Sequence, residues 1–213
     1  RRGDGIAAPL DRELHDPLGV EADRVLRETR ARGVLDPLVD GEDREVARPG
    51  EAPVLDELTV TDLRVDGAIP PEFRGVYIRT GPNPATGTSA HWFFGDGMVH
   101  GIRLADGKAE WYRNRFVQTP NIADPLDDPM SAMGDLNRGT GNTHVVAHNG
   151  EILCLEEGHW PWRIDRELNT LGVQNYGGAL TCSMTAHPKV CPVTGELIAF
   201  SYLNPGPDYL RYI

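Results

Sequence analysis

Short stretches rich in β-branched and aromatic residues, separated by tight-turn signals, dominate the chain after about Leu58. Asp106-Gly107 and Asn149-Gly150 each stand between two such stretches, and these dipeptides favour two-residue hairpin turns. No amphipathic pattern long enough for a three-turn helix follows residue 60. The pattern predicts an all-β sandwich, barrel or propeller. Its strands are expected at Val76–Ile78, Met98–Leu104, Ala109–Val117, His144–His148, Glu151–Leu155, Leu180–Ala186, Leu197–Leu203 and Tyr209–Ile213.

Residues 1–50 have a different composition, with many charged residues of both signs, no aromatic residue and repeated prolines. Glu21–Arg32 favours a short helix, because its acidic residues come early and its basic residues late. Its apolar face is too narrow to support a core. We therefore expect an N-terminal extension over residues 1–50 and a β domain over residues 51–213.

Tyr209–Ile213 has the composition of a strand, but no turn or cap follows it. An exposed apolar strand at the end of a complete protein is an aggregation liability. We expect this strand to be unpaired here and the natural chain to continue beyond Ile213.

The composition narrows the class of protein. Twenty-four glycines and 17 prolines spread along the 213 residues agree with many turns. The formal net charge of −11 disfavours nucleic acid as a partner, because the phosphate backbone is also negative. Three cysteines without C-x-x-C spacing fit a reduced compartment better than a disulfide scaffold. With no secretory leader and no long apolar run, a cytoplasmic location is expected.

Most of the seven histidines have a structural explanation. His144 and His148 have the spacing of a helical zinc pair, but they lie in a predicted strand. Four residues of strand span about 13 Å, too far for one shared ion. His91, His100 and His159 stand beside turns or aromatic residues, where a hydrogen-bonded structural role is expected.

His187 differs from the others because Pro188 follows it and favours an extended backbone at His187. A histidine fixed at the end of a strand can project its ring into a central space. The same dipeptide is common in ordinary loops, and no H-x-D or H-x-E pair completes an iron triad. Spacing alone therefore leaves both a ligand and a loop residue open.

Five motifs follow one another from about residue 55 to the end of the chain: Pro71–Pro84, His91–Met98, Trp111–Val117, Asn142–Thr143, and Thr185–Val190 with Thr194–Leu197. In their order and spacing they resemble the carotenoid cleavage oxygenase family. This family includes the retinal-pigment isomerase and stilbene-cleaving enzymes. The chain resembles the N-terminal portion of such a protein. Phe94 departs from the commoner aspartate at its position, with no functional meaning that we can assign.

The resemblance implies part of a seven-bladed β-propeller with a non-haem Fe²⁺ on its axis, held by four histidines from different blades. His187 matches the first of these ligands, and the other three are expected beyond Ile213. Glu157 matches one of the glutamates that orient and polarise the ligand histidines. Glu156 and Glu157 face opposite ways on a strand, so only one can point towards the axis.

The family resemblance also implies a reaction, in which O₂ adds across a conjugated C=C bond and two carbonyl products form. The expected partners are an apolar polyene and O₂, and peripheral membrane contact is open as a route for substrate uptake.

Stilbene cleavers generally place a lysine where this chain has Glu156, which favours a carotenoid or apocarotenoid substrate. The alternatives are a stilbene-type dioxygenase, an isomerase of the same fold, and a non-catalytic propeller that binds other proteins. With one ligand, this chain alone is expected to be inactive. The sequence leaves the oligomeric state open.

Overall fold

The computed structural model describes residues 52–89, 91–202 and 208–213, whose regular structure is mostly β. The strands are β1 Thr59–Val60, β2 Gly75–Pro82, β3 Gly97–Ala105, β4 Lys108–Phe116, β5 His144–His148, β6 Glu151–Leu155, β7 Trp162–Ile164, β8 Thr170–Val173, β9 Lys189–Val190, β10 Leu197–Ile198, β11 Phe200–Ser201 and β12 Arg211–Tyr212. Two four-stranded antiparallel sheets have the orders β1-β4-β3-β2 and β5-β6-β7-β8. The pairs β9-β10 and β11-β12 are also antiparallel. The all-β prediction is confirmed.

Helical structure among the described residues is limited to single turns. One α-helical turn, α1, covers Pro120–Ala123. Three 3-10 turns cover Trp92–Phe94, Pro129–Ala132 and Tyr176–Gly178. No helix of the described residues is long and apolar enough to cross a membrane. The predicted extension over residues 1–50, with its short helix Glu21–Arg32, lies outside the described residues.

Both predicted hairpin turns are present. Asp106 and Gly107 have φ angles of 50° and 73°, and Asn149 and Gly150 have φ angles of 47° and 80°. Positive φ at both central residues is the type I′ turn, whose twist matches that of the flanking strands. The turns join β3 to β4 and β5 to β6.

Strand β6 is buried on both faces, which explains its uninterrupted apolar run. Leu153 and Leu155 pack with Leu180, Cys182 and Met184 on one side. Cys154, which points to the opposite face, packs in a second cluster with Val99, Val117, Trp162, Ile164 and Leu168. The second sheet is therefore covered on one face by the first sheet and on the other by the segment that leads to His187.

The prediction of a strand over Leu180–Ala186 is wrong. The segment is buried except for Thr181, but its backbone joins no β-ladder. Met184 N donates to the carbonyl of His159 at 3.1 Å, and Thr185 N donates to that of Phe200 at 2.8 Å. Because successive amides bond different neighbours, an apolar composition that suits a strand becomes an irregular buried crossing instead.

Two further strand predictions need correction. The C-terminal strand is not unpaired, because Tyr212 of β12 pairs with Phe200 of β11. The predicted strand Leu197–Leu203 divides into β10 and β11, and Leu203 itself lies outside the described residues. β1, β7, β8 and β9 were not predicted, because each has only two to four residues, too few for an alternating pattern.

Candidate metal centre

His187 stands at the end of the buried crossing segment, where the chain passes into β9. Its backbone N–H donates to Thr185 Oγ1 at 3.1 Å, which fixes the turn ahead of the ring. Ala186 and Pro188 on either side are buried, whereas the His187 side chain is 64% exposed. The backbone is thus anchored on both sides while the imidazole projects outward.

The side chain that meets this imidazole belongs to Glu157, two residues beyond the end of β6. His187 Nε2 lies 3.2 Å from Glu157 Oε1. The other carboxylate oxygen, Oε2, is buried and has no hydrogen-bond partner. Burial, the negative charge of Glu157 and a side-chain hydrogen bond to Glu157 raise the pKa of Tyr202 to about 12. Tyr202 is therefore a second neighbour of the Glu157 carboxylate besides His187.

Glu156 contacts a different histidine from Glu157, although both glutamates lie beyond the end of β6 rather than on a strand as predicted. Its Oε1 lies 2.6 Å from His159 Nδ1 and also accepts the backbone N–H of Gly158 at 3.0 Å. Burial of the His159 ring opposes protonation, but the hydrogen bond and charge of Glu156 outweigh burial and raise the pKa of His159. The two adjacent glutamates therefore serve different histidines, Glu156 the ring of His159 and Glu157 the ring of His187.

His144 and His148, the two histidines of β5, bond different backbone carbonyls. His144 Nδ1 donates to Ala186 O at 2.7 Å, and His148 Nε2 donates to Gly195 O at 2.8 Å. The ring of His144 also stacks on that of His187, with centroids 6.3 Å apart and planes at 25°. The sequence contains no local signal that links His144 to His187. No spacing rule joins residues 43 positions apart, and the irregular crossing segment creates the contact.

The remaining described histidines are also hydrogen-bonded. His91 caps the 3-10 turn Trp92–Phe94 by accepting from Phe93 N, and His100 Nδ1 lies 2.9 Å from Tyr112 Oη. No group of three or more metal-ligating side chains occurs among the described residues. An imidazole beside a carboxylate fits the surroundings of a metal-bound histidine, and neutral imidazole is a suitable ligand for iron. His187 and Glu157 thus fit one part of an iron site.

Residues 51–213 match the family described as retinal pigment epithelial membrane protein. A carotenoid cleavage oxygenase of Mycobacterium tuberculosis is 46% identical over 159 residues, which are 71% of this chain and 32% of that protein. The chain belongs to the carotenoid cleavage oxygenase family. The predicted fold, part of the seven-bladed β-propeller of this family, is confirmed.

Solved structures of the family also match this chain. The lignostilbene dioxygenase of Pseudomonas brassicacearum matches with a TM-score of 0.60 and 35% identity, over 70% of this chain and 35% of that one. Cobalt-substituted Synechocystis ACO, an apocarotenoid oxygenase, matches with a TM-score of 0.56 and 25% identity, over 70% of this chain and 37% of that one. The chain spans about a third of the length of the curated relatives it matches.

Proposed function

We propose that the protein containing this chain is a non-haem Fe²⁺ dioxygenase that cleaves a conjugated C=C bond of a carotenoid or apocarotenoid. Both atoms of O₂ enter the products, so that one C=C bond is replaced by two carbonyl groups. The observation that carries the proposal is the contact of His187 with Glu157, at 3.2 Å. Membership of the family and the carotenoid cleavage oxygenase of Mycobacterium tuberculosis support it.

In this proposal His187 is one of four histidine ligands, and the other three lie beyond Ile213. Iron bound there would supply the binding and activation of O₂. Glu157 would orient the His187 ring and balance part of the metal's charge, since four neutral imidazoles provide none. A cobalt-substituted relative supports a divalent-metal site in the family. With one ligand of four, this chain alone is proposed to be inactive.

A stilbene-type dioxygenase is the second candidate, favoured by the structural match to lignostilbene dioxygenase. Glu156 argues against it. Its carboxylate is committed to His159 and Gly158, and it offers no positive charge or donor to a phenol. We therefore retain the carotenoid-type substrate as the proposal.

The test compares His187→Ala with His148→Ala in the full-length protein. We expect the unchanged protein to hold one iron per chain and to convert a polyene into two carbonyl products. His187→Ala should lose most of the iron and the cleavage. His148→Ala should retain both, because that ring bonds a distant carbonyl. Absence of both iron and cleavage from the unchanged protein would contradict the proposal and favour the non-catalytic propeller. Full activity of His187→Ala would contradict the role of His187 as a metal ligand.

A further inference from the structure

The β5–β6 hairpin contacts His187 from two sides. His144, the first residue of β5, is paired with Leu155, the last residue of β6, and Glu157 follows two residues later. Thr143 N donates to Leu155 O at 2.9 Å and extends this pairing by one bond. The open end of one hairpin therefore presents an imidazole and a carboxylate to the same histidine.

The contact of His144 with His187 has two separate components. The first is the 2.7 Å hydrogen bond from His144 Nδ1 to the carbonyl of Ala186, the residue immediately before His187. A carbonyl can only accept, so Nδ1 carries the proton. The second is the stacking of the two rings, at 6.3 Å and 25°. The bond holds the peptide that carries His187, and the stacking restricts the plane of its ring.

We propose that His144 is a positioning residue for the metal ligand His187. It holds the backbone and the ring plane of His187, while Glu157 holds one ring nitrogen. The inference rests on the proposed function, because it takes His187 to be a ligand. A ligand restrained in this way loses less conformational freedom when it binds a metal, so metal affinity should depend on His144.

His148 is a matched control on the same strand. Both histidines are half-buried, and each donates one hydrogen bond to a backbone carbonyl outside the hairpin. The acceptor of His148 is Gly195, eight residues beyond His187. The ordinary interpretation of His144, a structural histidine that stabilises β5, predicts similar effects for both positions. A positioning role predicts an effect on metal affinity at His144 alone.

Three variants separate the two components of the contact. His144→Ala removes both, His144→Phe keeps a ring without the donor, and His144→Asn keeps a donor near the Nδ1 position without the ring. Each is made in the full-length protein, which is freed of metal and titrated with Co²⁺. The readouts are the Co²⁺ dissociation constant, the visible Co²⁺ spectrum, and the melting temperature of the metal-free protein.

We expect His144→Ala to weaken Co²⁺ binding by about 10- to 100-fold and to alter the spectrum, the range found when a side chain that supports a ligand is removed. His144→Asn should recover part of the affinity through its donor. His148→Ala should stay within about threefold of the unchanged protein, whatever happens to its melting temperature.

Two results would overturn the positioning role: unchanged Co²⁺ affinity and spectrum in His144→Ala, or an equal loss in His148→Ala. Failure of the proposed function is a different outcome. There the unchanged protein would bind no stoichiometric Co²⁺, or His187→Ala would bind it normally. If His144→Ala does not fold, His144→Asn and His144→Phe decide the question by the same titration.

Discussion

At the scale of single residues, the ring of His159 is satisfied only in its protonated form. Nδ1 faces the carboxylate of Glu156 at 2.6 Å, and Nε2 faces the carbonyl of Ala132 at 3.3 Å. Carboxylate and carbonyl are both acceptors, so each ring nitrogen must carry a proton. The arrangement holds the turn after β6 together and leaves the neighbouring Glu157 to His187.

The Glu156–His159 pair predicts a pH-dependent stability. The folded-state pKa of His159 is raised above its ordinary value of 6.5. The pair's contribution is therefore complete below about pH 6.5 and is lost as the pH rises through the raised pKa. We expect Glu156→Gln to lower the free energy of unfolding by about 1.5–3 kcal/mol at pH 6, and by less at higher pH. The melting temperatures of the two proteins, compared from pH 6 to alkaline pH, test this expectation.

Glu110→Gln provides the control for that experiment. Glu110 also pairs with a basic side chain, Arg103, but both are exposed. Exposed pairs contribute little, and arginine does not titrate in this range. If the melting temperatures of the unchanged protein and of Glu156→Gln differed by the same amount from pH 6 to alkaline pH, a stabilising role of protonated His159 would be ruled out.

At the scale of elements, close backbone packing joins the first sheet to the loop that precedes β5. Gly97, the first residue of β3, donates its N–H to Thr140 O at 3.1 Å. Asn142, just beyond, is buried and donates both amide hydrogens to the carbonyls of Phe93 and Gly95, at 2.9 and 2.7 Å. These bonds place the residues that lead into β5 against the 3-10 turn Trp92–Phe94.

Gly97→Ala should disrupt this junction. An added Cβ would lie 2.3 Å from Thr140 O and 3.0 Å from the Gly141 backbone, so the loop itself must move. We expect a destabilisation of about 3 kcal/mol or failure to fold. Gly81→Ala, on the neighbouring strand β2, is the control, because nothing lies within 4 Å of its added Cβ. Chemical denaturation measures both, and equal stability of the two variants would contradict the packing argument.

At the scale of the whole molecule, the described residues bring together two of the residues proposed for the metal site, His187 and Glu157. His187 and Glu157 are positioned by the second sheet and the crossing segment, while no group of three potential ligands occurs in the described residues. In the proposal above, activity and the choice of substrate are properties of the full-length protein.

Glu156 predicts which class of substrate the full-length protein prefers. Because its carboxylate is committed to His159 and Gly158, the site lacks a cationic donor for a phenol at this position. We expect the full-length protein to cleave an apocarotenoid with a kcat/KM at least about tenfold above that for a hydroxystilbene, since the phenol hydroxyl would lose its hydrogen bonds to water without gaining a partner at this position. The rates of product formation from the two substrates test this expectation. A preference for the stilbene would refute the proposed carotenoid-type substrate.

The sequence by itself determined the elements whose cause is local. Alternating β-branched and aromatic runs predicted the long strands, and Asp106-Gly107 and Asn149-Gly150 predicted the hairpin turns that the structure confirms. The resemblance to the family singled out His187 and Glu157. These inferences use neighbours in the chain or a known pattern, so one sequence suffices.

Only the tertiary structure decided the contacts between distant segments. Leu180–Ala186 has the composition of a strand, yet its amides bond two different partners, so it crosses to His187 without joining a sheet. That crossing brings His187 to Glu157, 30 positions away, and to His144, 43 positions away. Local pattern carries no information about such a meeting, because it depends on how the sheets pack and on which backbone groups remain to be hydrogen-bonded.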